Sequence, residues 1–337
     1  KFGTPTFIFL SAFVLFYSYM GRDLTKPLLK RFYMNRFKFI LIPYILFSAA
    51  YFFPLAVFYN YYGSDVGEML YQFYERLKTG KAYAHLYFVF ISIQFYILFP
   101  LLLWLMKKKR SLLKHAVWIG FVIQWAFYLL NHYYGIYEYI DIPKGSLAVS
   151  YFSYYMLGAF MGVYYEKFLE WMKGAWKYGI WALWLLAGGL HVYVFYLQRV
   201  HGIYSDSKWY ELYWNLHTIL SALVLFHFAF WLYKVLPQWM TKVFINLGIC
   251  SFGIYLLHPA ILLVYRNKFM PSGFPEYHVM ALLGFVLALG LSWLVVYIAS
   301  KVKGSWIVFG QFPNKPDRDA NHKPGTVIQE PKRSHSV

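Results

Sequence analysis

Four basic residues precede an apolar segment near the N-terminus, and cations in such a place can bind phosphate. They are Lys30, Arg31, Arg36 and Lys38. Because Arg and Lys form charge-assisted hydrogen bonds with phosphate oxygens, Arg31, Arg36 and Lys38 are candidates for holding the phosphates of a nucleotide-like donor such as coenzyme A. Membrane topology and contact with anionic lipid head groups explain the same charges more simply, and the residues alone favour that explanation.

A second group of polar residues lies in the apolar segment 251–259. Tyr255 and His258 are three residues apart and would share one face of a helix. Pro259 has no N–H, so the carbonyl of Tyr255 would lose its helical donor. An imidazole beside a freed carbonyl is a plausible polar site, because a neutral imidazole can accept a proton. A hydrogen-bonded structural histidine explains these residues about equally well.

The segment 85–100 carries His85, Gln94 and Tyr96, which would project from a third helix. The simpler interpretation of His85 is an amphipathic anchor at the membrane interface. Further along the chain, Gly158 and Gly162 form a GxxxG pair, which predicts close packing of two helices rather than chemistry. The sequence has a single cysteine and no HExxH motif, so it predicts no metal site.

The elements that position these residues are expected to be membrane helices. Of the 337 residues, 60% are hydrophobic and only 14% are charged, whereas a soluble domain has about 25% charged residues. A helix of about 20 apolar residues crosses a bilayer, and nine such stretches contain no Lys, Arg, Asp or Glu. We therefore expect an all-α, polytopic transmembrane helical bundle. The stretches are residues 5–21, 39–60, 84–106, 115–132, 147–165, 178–198, 216–233, 243–265 and 279–300.

The positions of the basic residues predict how the bundle is oriented. The formal net charge is +18, and most Lys and Arg fall in loops on one side, mainly 22–38 and 107–114. That side should be cytoplasmic by the positive-inside rule, so nucleic-acid binding is not expected. Residues 1–303 form the predicted membrane domain, and 304–337 a polar, disordered cytoplasmic tail. Nine spans place Lys1 outside, which predicts one more helix upstream, with a cleaved signal sequence as the alternative.

Five short motifs in this order resemble the acyltransferase 3 family of integral membrane proteins. They are FGTPTFIFLS from residue 2, RFK from residue 36 with IPY at 42, HLYF from 85, YMLGAFMG from 155 and YLLHP from 255. The resemblance implies ten helices in the cell membrane. It also implies transfer of an acetyl or succinyl group from cytoplasmic acyl-CoA to a hydroxyl of an extracellular or lipid-linked glycan.

The resemblance also implies that the principal catalytic His lies on the first of the ten helices, upstream of residue 1. No residue here takes its place, and the 337 residues alone would then lack activity. His258, Tyr255 and His85 are secondary candidates, while Arg31, Arg36 and Lys38 would hold the donor. Acyl-CoA is expected as a substrate, glycan and membrane lipids as partners, and no cofactor as permanently bound.

Two other functions are compatible with the residues. One is export of a cell-surface polysaccharide without transferase activity, and the other is a structural or sensory role without chemistry. The nine apolar stretches contain no Asp or Glu, and proton-coupled transporters commonly place carboxylates there. That composition counts slightly against the exporter.

Overall fold

The computed structural model describes residues 2–62, 65–140, 142, 145–204, 206–269 and 273–312. Over these residues the chain is helical and has no strand, which confirms the predicted all-α class. A π-helical turn at Phe37–Leu41 joins the second and third helices, and a 3₁₀ turn at Ala148–Tyr151 precedes the ninth. The helices are α1 (Gly3–Tyr19), α2 (Lys26–Arg36), α3 (Ile42–Phe58), α4 (Val66–Thr79), α5 (Tyr87–Lys108), α6 (Arg110–Lys114), α7 (Ala116–Tyr134), α8 (Ile136–Ile140), α9 (Phe152–Val163), α10 (Tyr165–Lys173), α11 (Trp176–Val200), α12 (Ser207–Val235), α13 (Gln238–Lys268), α14 (Phe274–Ala299) and α15 (Trp306–Phe309).

Each of the nine predicted stretches coincides with a helix, but the helices differ in how well they suit a bilayer. Within the described residues, six are long and apolar enough to cross a membrane, and α1 is a shorter apolar helix. The short helix α9 follows a 3₁₀ turn and is enclosed by protein. The chain is therefore a multi-pass membrane protein. The six are Lys26–Phe58, Tyr87–Lys108, Trp176–Val200, Ser207–Val235, Gln238–Lys268 and Pro275–Ala299.

Helix α9 is the centre of the larger hydrophobic core. Its Tyr154 and Tyr155 are fully buried. A Cβ atom placed on Gly158 would lie 2.2 Å from the carbonyl oxygen of Phe9, and one placed on Gly162 would lie 2.5 Å from that of Phe13. The backbones of α1 and α9 are thus in direct contact at the two glycines, which confirms the packing predicted from the GxxxG pair.

A smaller core joins α3, α5 and α13. It contains Tyr51 from α3, Leu86 and Val89 at the start of α5, and Leu256 from α13. This core matters for function because it fixes the segment before α5 against the middle of α13. Those are the two places where the sequence carries candidate histidines.

The loops with most Lys and Arg meet at one end of the bundle, which we call the basic end. Lys107, at the end of α5, donates a hydrogen bond to the carbonyl of Arg22, which follows α1. Helix α15 packs near this end, where Trp306 meets Phe39 edge-on with ring centroids 5.5 Å apart. The predicted polar tail therefore begins with residues that contact the bundle. From residue 313 onward it lies outside the described residues.

Candidate functional site

Three candidates that are far apart in the sequence meet at one place in the fold. The ring of His85 lies 5.1 Å from that of Tyr255 and 5.7 Å from that of His258, measured between centroids. The hydroxyl of Tyr255 also donates a hydrogen bond to the backbone carbonyl of His85. The structure thus places His85, Tyr255 and His258 in one group, which we call the histidine site, at the end of the bundle opposite the basic end.

Tyr51 fixes the backbone of α13 beside this group. Its hydroxyl donates to the carbonyl of Leu256 over 2.7 Å and accepts from the amide of Ala260 over 3.1 Å. In an unbroken helix that amide would bond to that carbonyl directly. The phenol is therefore inserted into the helical hydrogen-bond ladder next to Pro259, and a side chain inserted there is a recognised cause of helix bending.

The hydrogen bond made by His258 determines which of its nitrogens can do chemistry. Its Nδ1 atom lies 3.1 Å from the carbonyl oxygen of Ile254. A carbonyl only accepts hydrogen bonds, so Nδ1 carries the proton, and a neutral ring then has its lone pair on Nε2. His258 is consequently set up as a hydrogen-bond acceptor or a base through Nε2.

His258 and Tyr255 line a cavity of about 610 Å³ between α13 and α14, which Phe7 of α1 also contacts. Most of the wall is apolar. The polar side chains in it are few, and they include Ser251, His258 and Arg266. A large apolar cavity with a few convergent polar groups is the usual form of a small-molecule site.

His85 differs from His258 because other aromatic rings enclose its imidazole. Neither ring nitrogen makes a hydrogen bond of normal geometry within the described part of the chain, although the Leu256 carbonyl faces the ring. Tyr51 and Tyr83 stack on each other at 4.4 Å and both meet His85 edge-on. His85 lies in the loop before α5. There, burial and then the neighbouring His258 lower the pKa of His85 to about 3, so the ring is neutral at ordinary pH.

The three candidates for donor binding have different surroundings. Arg31 and Lys38 are exposed, whereas Arg36 is half-buried. The guanidinium of Arg36 lies 4.7 Å from the ring centre of Tyr96 and 5.2 Å from that of Phe32. Its Nε atom is buried and has no hydrogen-bond partner among the residues described. Arg36 directly precedes the π-helical turn, a feature often found at functional sites.

Gln94 holds a loop in place and has little capacity left for a ligand. Its amide nitrogen donates to the carbonyl of Ser146 over 2.8 Å, and its carbonyl oxygen accepts from the amide of Ala148 over 3.0 Å. Tyr96, the next polar residue of this segment, lies beside Arg36.

Tyr51 and Tyr83 pack against the histidine site, yet the sequence analysis did not select them. Tyrosine is abundant in this chain, with 34 residues, so neither position was distinctive by residue type or spacing. For metals, the described residues contain no group of three or more His, Cys, Asp or Glu side chains that could hold an ion.

Comparison with known proteins decides the family. The sequence profile of acyltransferase 3, described as an acyltransferase domain, matches residues 1–297. This chain belongs to the acyltransferase 3 family.

The curated relatives are named for polysaccharide export. A Staphylococcus aureus (strain MSSA476) protein named probable poly-beta-1,6-N-acetyl-D-glucosamine export protein is 27% identical over 88% of this chain and 81% of its own length. A Staphylococcus epidermidis protein of the same name is 28% identical over 90% and 81% respectively. No solved structure matches the chain.

Proposed function

We propose that the protein is a membrane O-acyltransferase. It moves an acetyl or succinyl group from cytoplasmic acyl-CoA to a hydroxyl of an extracellular or lipid-linked glycan. The acyltransferase family supports the reaction type, and the polysaccharide in the relatives' name supports a glycan as acceptor. The observation that carries the proposal is the assembly of His85, Tyr255 and His258 beside a cavity.

The reaction needs a base because a sugar hydroxyl is a weak nucleophile. The hydroxyl oxygen attacks the thioester carbonyl and a C–O bond forms. The C–S bond then breaks, and the proton taken from the hydroxyl passes through the base to the coenzyme A thiolate. We assign the principal base to no residue of this chain. We propose that Nε2 of His258 accepts a hydrogen bond from the acceptor hydroxyl and orients it for attack.

The phosphates of the donor would bind at the basic end, and the long pantetheine arm would extend along the bundle to bring the thioester toward the histidine site. Arg36 is the strongest candidate there, because its planar guanidinium is held against two aromatic rings and its Nε atom has no hydrogen-bond partner within the described residues. A guanidinium can bind a phosphate through two parallel hydrogen bonds. The exposed Arg31 and Lys38 would add to the attraction for an anionic donor, with smaller individual effects because solvent screens them.

The relatives' name supports a second candidate function, which is export of a poly-N-acetylglucosamine-like polysaccharide without acyl transfer. Both functions require a glycan to contact the protein, so glycan binding alone does not separate them. Covalent transfer of the acyl group to the glycan separates the two functions.

The decisive experiment uses the intact protein in liposomes with acyl-CoA that carries an isotopic label in the acyl group. We expect label to appear in an ester on an added N-acetylglucosamine oligosaccharide, and His258→Gln to reduce the rate. His201→Gln is the matched control, since His201 is exposed just after α11. Movement of glycan across the membrane with no label ever in the glycan would reject the transferase and favour the exporter.

A further inference from the structure

A second cavity lies in a different part of the bundle, between α7, α12 and the segment before α9. Its volume is about 170 Å³. It is lined by aromatic rings together with amide and carboxylate groups, a combination that the apolar cavity at the histidine site does not have. The principal lining residues are Gln124, Trp125, Tyr128, Tyr151, Glu211 and Trp214.

A buried hydrogen-bond network makes the floor of this cavity rigid. The carbonyl oxygen of Gln124 accepts from both the amide and the hydroxyl of Ser153, at 3.0 and 2.7 Å. Its amide nitrogen donates to Asn215 over 2.7 Å, and Tyr154 donates to the same oxygen of Asn215. Fully satisfied networks of this kind hold side chains in one arrangement, so the cavity is formed before any ligand arrives.

Glu211 supplies the charge of the cavity. One of its carboxylate oxygens lies 3.2 Å from the amide nitrogen of Asn215, which donates to it. A carboxylate has about four lone-pair sites, so one carboxylate in the cavity wall can accept from several donors at once. A carboxylate, amides and tyrosine hydroxyls arranged among aromatic faces suit a ligand with many hydroxyls and an apolar ring face.

We infer that this cavity binds one pyranose unit of the glycan acceptor, an assignment that rests on the proposed function. Its volume of about 170 Å³ holds several water molecules, so it has room for a small polar ligand such as one sugar ring. Tyr128 and Trp214 contribute aromatic rings to the wall for the C–H side of the sugar, and Glu211 contributes a carboxylate acceptor for its hydroxyls. A lipid tail fits the larger apolar cavity better, because an acyl chain has no donor for a hydrogen bond to a carboxylate.

The start of α5 lies between the two sites. Tyr87 packs against the core that contains Tyr151, which lines the sugar cavity, and Phe88 meets Tyr255 of the histidine site with ring centroids 5.5 Å apart. The Tyr87 hydroxyl also bonds to that of Thr4 at 2.7 Å. A glycan with one unit in the sugar cavity would therefore extend toward His258, so that the cavity sets which hydroxyl reaches the reacting centre.

The test is a saturation-transfer NMR titration of the intact protein with an N-acetylglucosamine trisaccharide, carried out without acyl-CoA. Glu211→Gln keeps the shape and an acceptor oxygen but removes the charge, and we expect it to weaken binding about tenfold or more. Tyr128→Leu removes an aromatic face and should weaken binding severalfold. Glu138→Gln is the matched control, because Glu138 is exposed on α8, and it should leave the affinity unchanged.

The outcomes separate this inference from the proposed function. Trisaccharide binding that depends on Glu211, together with no acyl transfer, would support the sugar cavity and reject the transferase. Acyl transfer whose KM for the trisaccharide is the same in Glu211→Gln, Tyr128→Leu and the unaltered protein would reject the cavity alone. If Glu211→Gln lowers the thermal stability, Tyr128→Leu and the KM comparison decide the question.

Discussion

The rings of His85 and His258 meet edge-on with centroids 5.7 Å apart, yet their surroundings give them different roles. His258 has one nitrogen fixed on the Ile254 carbonyl and lines a cavity. His85 is enclosed by rings and its pKa is lowered to about 3. We therefore assign substrate contact to His258 and packing of a neutral ring to His85.

Replacement of His258 by Gln should lower acyl transfer by about ten- to hundredfold, because one well-placed hydrogen bond to the acceptor is lost. The amide keeps the size of the side chain, so thermal stability should change little. Initial rates over a range of acceptor concentrations are the measurement. An unchanged rate at saturating acceptor, with unchanged KM, would leave His258 as a structural residue.

Replacement of His85 by Phe tests whether His85 packs as a neutral ring, in contrast to the substrate contact proposed for His258. The native pKa of about 3 lies below the usual value near 6.5, so the folded protein disfavours protonated His85. Its contribution to stability is complete above about pH 6.5 and declines as the pH falls toward 3. We expect His85→Phe to reduce this decline, since Phe does not titrate. Thermal unfolding of both proteins at several pH values is the check, and identical pH dependence would contradict the assignment.

How much of the fold and of the candidate site can be predicted from the sequence depends on the type of interaction. The positions of nine helices follow from runs of apolar residues, because each run must satisfy its backbone inside a bilayer. Close packing of α9 against another helix follows from Gly158 and Gly162, whereas the identity of that helix as α1 does not. The meeting of His85 with His258 did not follow, because helix order in a bundle is set by many weak contacts that leave no local pattern.

The insertion of Tyr51 into α13 illustrates the same limit. Pro259 has no N–H, and the sequence therefore indicates a freed carbonyl at Tyr255. It does not indicate that a phenol from α3 would take up the neighbouring amide of Ala260 and carbonyl of Leu256. The resemblance to the family predicts the reaction type. The cavity lined by Glu211 forms where α7 and α12 pack together, so the sequence alone did not indicate it.

Replacement of Tyr51 by Phe should destabilise the protein by about 1–3 kcal/mol, the usual cost of leaving a buried donor unsatisfied. The ring would stay, but the Ala260 amide and the Leu256 carbonyl would lose their bridge. Tyr83→Phe is the matched control, because Tyr83 stacks on Tyr51 at 4.4 Å and carries no part of the bridge. Thermal unfolding in detergent compares the two, and equal losses would show that the hydroxyl is unimportant.

Replacement of Arg36 by Lys should weaken acyl-CoA binding about tenfold, although the charge is kept. A lysine cannot place a planar group against the rings of Tyr96 and Phe32 or present two parallel N–H groups to a phosphate. Lys38→Ala removes an exposed charge and should change the affinity much less. Equilibrium binding of coenzyme A to the purified protein measures both. A larger effect of Lys38→Ala than of Arg36→Lys would mean that Arg36 does not bind the donor and that these basic residues act in membrane topology alone.

Replacement of Gly158 by Leu should prevent α1 and α9 from packing, and it is expected to be the most damaging of these changes. Even a Cβ atom at this position would lie 2.2 Å from the Phe9 carbonyl oxygen, so the helices must separate. A loss of stability above about 4 kcal/mol is therefore expected. Gly189→Ala in α11 is the control, since a Cβ atom there meets nothing within 4 Å, and Ala favours a helix over Gly. The yield of monodisperse protein in detergent and its thermal midpoint distinguish the two variants. A Gly158→Leu protein as stable as Gly189→Ala would mean that α1 and α9 do not pack closely at Gly158.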